Sequence, residues 1–200
     1  MKLALDQFAE NLKRAKYLVA TYSILRIQTT SVLDLSDMLR AALVLSVSAF
    51  DHFIHEVARL GILAIHSGQR TEPPGFAKFS VSLRNLKAGL SSSASVAWLD
   101  AEIRERHGWL SFQEPEKVAD ALRLISDYKI WNEVGARIGM DAGAVKIQLK
   151  LIVDRRNKIA HEADMDPSAP GARWPIDEIM TKDSIDYVEK VAHAIFDIIK

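Results

Sequence analysis

The chain has 200 residues, 48% hydrophobic and 26% charged, and its 26 basic side chains are balanced by 26 acidic ones. That is the composition of one soluble domain, residues 1–200, with a sizeable core; it excludes a global basic field of the kind that advertises nucleic-acid binding, so any RNA contact must come from a local patch. The absence of cysteine excludes disulfides, thiol nucleophiles and thiolate metal sites, and agrees with a reducing compartment.

A secretory n-region with a cleavage site is not evident, and the longest apolar run, Ala41 to Phe50, is too short to span a bilayer. A cytoplasmic protein without membrane partners is expected. Residues 3 to 28 read as a first helix, because Leu5, Phe8, Leu12, Ala15, Val19 and Tyr22 recur three and four apart and form a seam for another helix. Thr29, Thr30 and Ser31 interrupt it. Asp34 or Ser36 can cap a second helix running to His66, apolar on nearly all sides between Met38 and Ile65 and therefore central in a bundle. Within it Asp51 and His55 share a face, with His52 and Glu56 beside them. A lone Asp/His pair is incomplete as a metal site, and a hydrogen bond at a helix surface is the plainer reading.

Gly68 to Gly75 is a loop by its two prolines and two glycines, a candidate for mobility at a substrate entrance. A short helix is expected from Phe76 to Leu90, exposing Lys78, Arg84 and Lys87, before the serine run Ser91 to Ser93. Ser95 starts a helix that Gly108 stops, and Trp98 and Trp109 are expected to anchor core or loop rather than stack on bases. Pro115 suits the first turn of a helix whose buried stripe is Val118, Ala119, Leu122 and Ile125. Ile130 to Ile138 forms another amphipathic piece.

From Ala144 to Glu162 an apolar helix carries several groups able to handle phosphate. Val145, Leu149, Ile152 and Ile159 repeat at helical spacing, Lys146, Lys150, Asp154 and Lys158 line another face, and Asp141 suits the N-cap. Asn157 and His161 lie one turn apart on one face, and Arg156 can reach around to them. An imidazole titrates near ~6.5 and moves protons, while a guanidinium forks onto phosphate oxygens. The spacing alone also fits a helix-end His near the negative end of the dipole and an Arg on a solvated face. Arg59 and His66, separated by the apolar run LGILAI, meet a similar loose spacing. Ala163 to Pro175 reads as a loop whose acids lie close to His161, and Asp183 caps a last helix carrying Ile185, Val188, Ala192, Ile195 and Ile199. The fold class is all-α, a bundle of about five to eight helices.

The wider context, LIVDRRNKIAHEADMDPSAPGARWPID from Leu151 to Asp177, resembles the HEPN superfamily, and within it the RiboL-PSP type, whose signature is Arg-Asn, three residues, then His. Leu39 to Glu56 and Ser111 to Ile125 carry further resemblance, so that it spans most of the chain. The resemblance implies a HEPN-like helical fold over residues 1–200, a homodimer that brings two motifs together, and metal-independent endoribonuclease chemistry on an RNA substrate. On this reading Arg156, Asn157 and His161 are catalytic, Asp51 orients the motif's Arg or His, Glu162 supports it, and Arg155, Lys158 and Lys150 hold the RNA strand. No cofactor or metal is called for. Such domains resemble toxins or antiphage effectors controlled by an antitoxin or defence-system partner. Two other readings compete: a catalytically silent interaction or nucleotide-binding module, and a metal-dependent hydrolase using Asp51, His55 and His161.

Overall fold

The computed structural model describes residues 1–30, 32–91 and 95–200, so the expectations for Ser31, Ser92 and Ser93 fall outside the described residues. The described residues form eight α-helices: α1 Lys2–Gln28, α2 Ser36–His66, α3 Leu83–Ser91, α4 Ala97–His107, α5 Pro115–Arg123, α6 Ile130–Ile138, α7 Ala142–His161 and α8 Glu178–Ile199. The all-α helical fold is thus found.

Helix α2 is the central element, as its all-round apolar character dictates. Leu39, Leu43, Val47, Phe50, Ile54, Val57 and Ile62 are all buried along it, and α1, α4, α5, α7 and α8 pack around it. By length and composition α2 is also long and apolar enough to cross a membrane, but more than half of its apolar window is buried within the bundle. The α1 seam meets it as the periodicity requires: Phe8, Leu12, Ala15 and Val19 are buried, and the Phe8 and Phe53 rings sit 5.3 Å apart. Each large side chain removed from water in this way stabilises the fold by roughly 1.5–3 kcal/mol. On α8, Ile185, Val188, Val191, Ala192 and Ile195 close the third side.

Two boundaries differ from the sequence reading. The segment from Phe76 to Leu90 is a 3-10 turn, Phe76–Lys78, followed separately by α3, whose entry is held by Glu102: its carboxylate accepts the Ser82 N–H at 2.8 Å and the Asn85 amide at 2.5 Å. Helix α8 begins more than a turn before Asp183, because Asp177 accepts the Met180 N–H at 2.8 Å and is the N-cap.

The start of α7 is fixed closely. Gly139 adopts φ 74° at the end of α6, and Met140 donates its N–H back to the Gly135 carbonyl at 2.9 Å, closing the helix with a left-handed turn. Asp141 then accepts the N–H groups of Gly143 at 2.8 Å and Ala144 at 3.1 Å, the capping expected of it. Gly135 matters because a Cβ there would stand 2.5 Å from the Met140 carbonyl oxygen, which is backbone and cannot swing aside. Gly135→Ala should therefore lower stability by about 1–3 kcal/mol, seen as a lower urea midpoint with unchanged slope.

Candidate active site

The C-terminal end of α7 is built by an unusual turn. The Lys158 carbonyl accepts the N–H groups of both Glu162 and Asp164, each at 3.0 Å, and Ala163 and Asp164 take left-handed φ values of 51° and 59°. Two consecutive non-glycine residues there cost about 1–2 kcal/mol each. The turn buries the Asp164 side chain, 1% exposed, between two arginines. Arg155 Nη1 stands 2.8 Å from Oδ1 and its Nη2 donates to Oδ2 at 2.9 Å, while Arg40 Nε donates to Oδ2 at 2.7 Å. Arg40 Nη2 also donates to the Trp174 carbonyl at 2.9 Å and Arg155 Nη2 to the carbonyls of Trp174 and Pro175 at 3.1 and 3.0 Å, Arg40 Nη1 donates to the Ser36 hydroxyl, and Arg155 Nε is buried without a partner among the described residues.

The segment after α7 is consequently an ordered hairpin. Met165 bridges Arg173, Trp174 donates its N–H to the Asp164 carbonyl at 2.9 Å, and Arg173 clamps the hairpin to Asp34 and Asp37 at the start of α2. This changes two readings. Arg155 does not offer its guanidinium to RNA, because that group is committed to Asp164 and the hairpin backbone. The acids of the hairpin do not all attend His161 either, since Asp164 turns inward.

Arg156 has the opposite fate from its neighbour. At 100° per residue it points about 140° away from His161, on the side of α7 that carries Val145, Leu149 and Ile152 inward. It is half-buried and has no hydrogen-bond or ion-pair partner among the described residues. Burial pushes the guanidinium below the usual arginine range, and the Asp51 carboxylate on α2 favours its charge. Asp51, expected on sequence to orient the motif, is near enough for its charge to act on Arg156 but makes no hydrogen bond or ion pair with it among the described residues. Its own position is set by the Phe112 N–H, donated to Oδ1 at 2.5 Å, and by His55, whose Nε2 lies 3.9 Å from the same oxygen.

Behind His55 stands a second imidazole that sequence reasoning does not single out. His107, at the end of α4, is 7% exposed, with its ring 6.3 Å from His55 and 5.2 Å from Phe112. Its Nδ1 is buried without a partner among the described residues, and burial together with His55 pushes its pKa down to about 4. Nothing in the sequence near His107 signals this, because its neighbours Phe79 and Phe112 come from separate loops.

The outward side of α7 carries the other motif residues. His161 and Glu162 are exposed, Asn157 is half-buried, and within one chain none of them bonds to Arg156. Lys158 lies over the Trp174 ring at 4.5 Å, and Lys150 bonds Asp154 at 3.2 Å and approaches Glu114 at 3.6 Å. Ile147 and Leu151 are 64% and 58% exposed on this same side. The second Arg/His spacing is structural: Arg59 pairs with Glu56 and Asp100, and His66 packs edge-on to Trp98. Trp109, expected as an anchor, is 79% exposed. A cavity of about 820 Å³ between the loop following α2 and the end of α5 includes no motif residue. Among the described residues no group of three or more His, Asp or Glu gathers as a metal ligand set, and Asp51, His55 and His161 are not assembled as one.

An all-helical bundle built around one long apolar helix, with Arg156, Asn157 and His161 at the end of a late helix, has the architecture of a HEPN-type domain. The chain belongs to the RiboL-PSP-HEPN family, whose sequence profile matches residues 9–200. No curated protein and no solved structure matches it.

Two outcomes test this construction. Asp164→Ala leaves two buried guanidinium groups facing each other without their carboxylate and should destabilise the protein by about 3–5 kcal/mol, measured by urea unfolding. His107 binds a proton near pH 6.5 when unfolded but only near pH 4 when folded, so protonation favours the unfolded chain. Stability should fall as the pH drops from about 6.5 toward 4, by on the order of 2 kcal/mol, and His107→Phe should flatten that part of the profile.

Proposed function

We propose that this chain is a metal-independent endoribonuclease of the HEPN kind, acting in the cytoplasm as a homodimer and serving as a toxin or antiphage defence effector held in check by a partner protein. The observation that carries this reading is Arg156: a half-buried guanidinium, unpartnered among the described residues and with Asp51 favouring its charge, beside an Arg155 whose two terminal nitrogens are held by Asp164 and the hairpin. A desolvated, uncommitted cation is an anion site in waiting.

In the reaction, the ribose 2′ oxygen bonds to its own 3′ phosphorus as its proton passes to a base. The bond from phosphorus to the 5′ oxygen breaks, and that oxygen takes a proton, leaving a 2′,3′-cyclic phosphate and a free 5′ hydroxyl. Arg156 stabilises the extra charge on the phosphorane oxygens. His161 handles a proton as general acid or base, worth ~10²–10⁴-fold. Asn157 orients His161 or binds a phosphate oxygen, and Glu162 supports that end of the helix. Lys158 and Lys150 remain the candidates for holding the strand.

The divergence of Arg156 and His161 on one helix supports a site completed by a second copy. The exposed Ile147 and Leu151, on the same side as His161, give that copy an apolar surface to cover. Like charge between two such helices is offset by Asp154 and Glu162.

RNA incubated in EDTA with the wild-type protein should yield cyclic phosphate ends by mass spectrometry. His161→Ala and Arg156→Ala should each lose at least ~10²-fold in rate, Arg156→Lys should not restore it, and Leu151→Asp should run as a monomer and be nearly inactive. A folded dimer that cleaves no RNA would instead identify a silent interaction or nucleotide-binding module, and cleavage abolished by EDTA would identify a metal-dependent hydrolase.

A further inference from the structure

A cavity of about 290 Å³ opens between α2 and α4, lined in part by His52, His55, Glu56, Arg104, His107 and Gly108. It adjoins the candidate site through His55, which forms part of its wall and stands 3.9 Å from the Asp51 carboxylate, whose charge acts on Arg156. One helical turn, ~5.4 Å, separates Asp51 from His55 along α2, a spacing on the scale of one nucleotide.

The walls of this cavity are charged but self-neutralised. Glu56 is held by Arg59 at 2.7 Å, Arg59 also reaches Asp100 at 2.6 Å, and Arg104 bonds Asp100 at 2.9 Å. What the cavity presents beyond those pairs is imidazole: His52 at its exposed rim, His55 on its wall and His107 at its back. His107 is over nine-tenths buried, its Nδ1 lacks a partner among the described residues, and the edge-on rings of Phe79 and Phe112, at 5.7 and 5.2 Å, hold it in place. Nδ1 is closed off from the cavity, whereas Nε2 is not among the buried atoms and makes no hydrogen bond among the described residues, so it is the ring nitrogen left to a ligand as donor or acceptor. A phosphate finds no free cation here. A flat, neutral heterocycle with donors and acceptors along its edge matches both the chemistry and the size, which lies at the small end of ligand pockets, ~300–1,000 Å³.

We infer that the His55–His107 cavity is a subsite for one unpaired RNA base, placing the adjoining phosphate at Arg156 and giving cleavage a base preference. The inference rests on the nuclease reading, deepening it from RNA in general to RNA selected at one position.

The test uses two readouts. In the first, a pool of random-sequence RNA is cut by the wild-type protein and the product ends are sequenced. In the second, five-nucleotide runs of A, C, G or U, fluorescein-labelled, are bound to the His161→Ala protein and followed by anisotropy. A preference of at least 5-fold for one base is expected in both. It should fall to within 2-fold in His107→Phe, which keeps a ring but removes the nitrogens, and in His52→Trp, which fills the rim of the cavity without touching the core. Cleavage without base preference, or a preference that survives both substitutions, overturns the subsite and leaves the nuclease standing. Absence of both binding and cleavage in a folded dimer overturns the nuclease reading and the subsite with it.

Discussion

The structure depends on one buried carboxylate. Asp164 sits between Arg40 and Arg155, and around this group the end of the motif helix, the start of the central helix and the returning hairpin are joined. Two guanidiniums against one carboxylate leave an excess positive charge in a poorly hydrated place, which the carbonyls of Trp174 and Pro175, the Ser36 hydroxyl at 2.6 Å and the nearby Asp37 compensate. Such a cluster need not be more stable than a well-packed apolar one. Its value lies in being unforgiving: the left-handed pair Ala163 and Asp164 is held only because the carboxylate they turn inward has two fixed partners. The terminus of α7, and with it His161, is thereby placed.

Adjacent arginines on α7 divide two tasks between them. Arg155 lies toward Arg40 and the hairpin, where both of its terminal nitrogens are engaged by Asp164 or the hairpin backbone. Arg156, a hundred degrees further around, lies within reach of the Asp51 charge, where burial withholds water from it and the described residues supply no hydrogen-bond partner. A single carboxylate nearby keeps the guanidinium charged without closing its fork. The same helix turns His161, Asn157, Ile147 and Leu151 outward, so one element supplies an inward cation and an outward imidazole that no single chain brings together.

Much of this was open to the sequence, and the rest was closed to it for definite reasons. The period of Val145, Leu149 and Ile152 yields α7 and its buried side, and Asp141 marks its start because a carboxylate before a helix has one favourable use. The start of α8 at Asp177 is obscured by the Trp-Pro-Ile that precedes it, which reads as loop on composition alone. The hairpin is invisible for a different reason: its left-handed residues are Ala and Asp, not glycine, and the conformation is set by Arg40, 124 positions away. By residue type Arg155 and Arg156 are indistinguishable, and only the rotation of α7 against α2 separates the structural one from the free one.

His107 carries the argument furthest from the motif. A histidine that is buried, held to about 4 and backed by two aromatic rings is an expensive residue to place where phenylalanine would pack. Its ring continues a row of partly buried polar groups, Asp51 and His55 on α2, that leads toward α4. Phe112 anchors that line twice, by donating its N–H to Asp51 and by packing its ring 4.4 Å from His55. The loop between α4 and α5 therefore ties the Asp51 carboxylate to the imidazoles of the cavity.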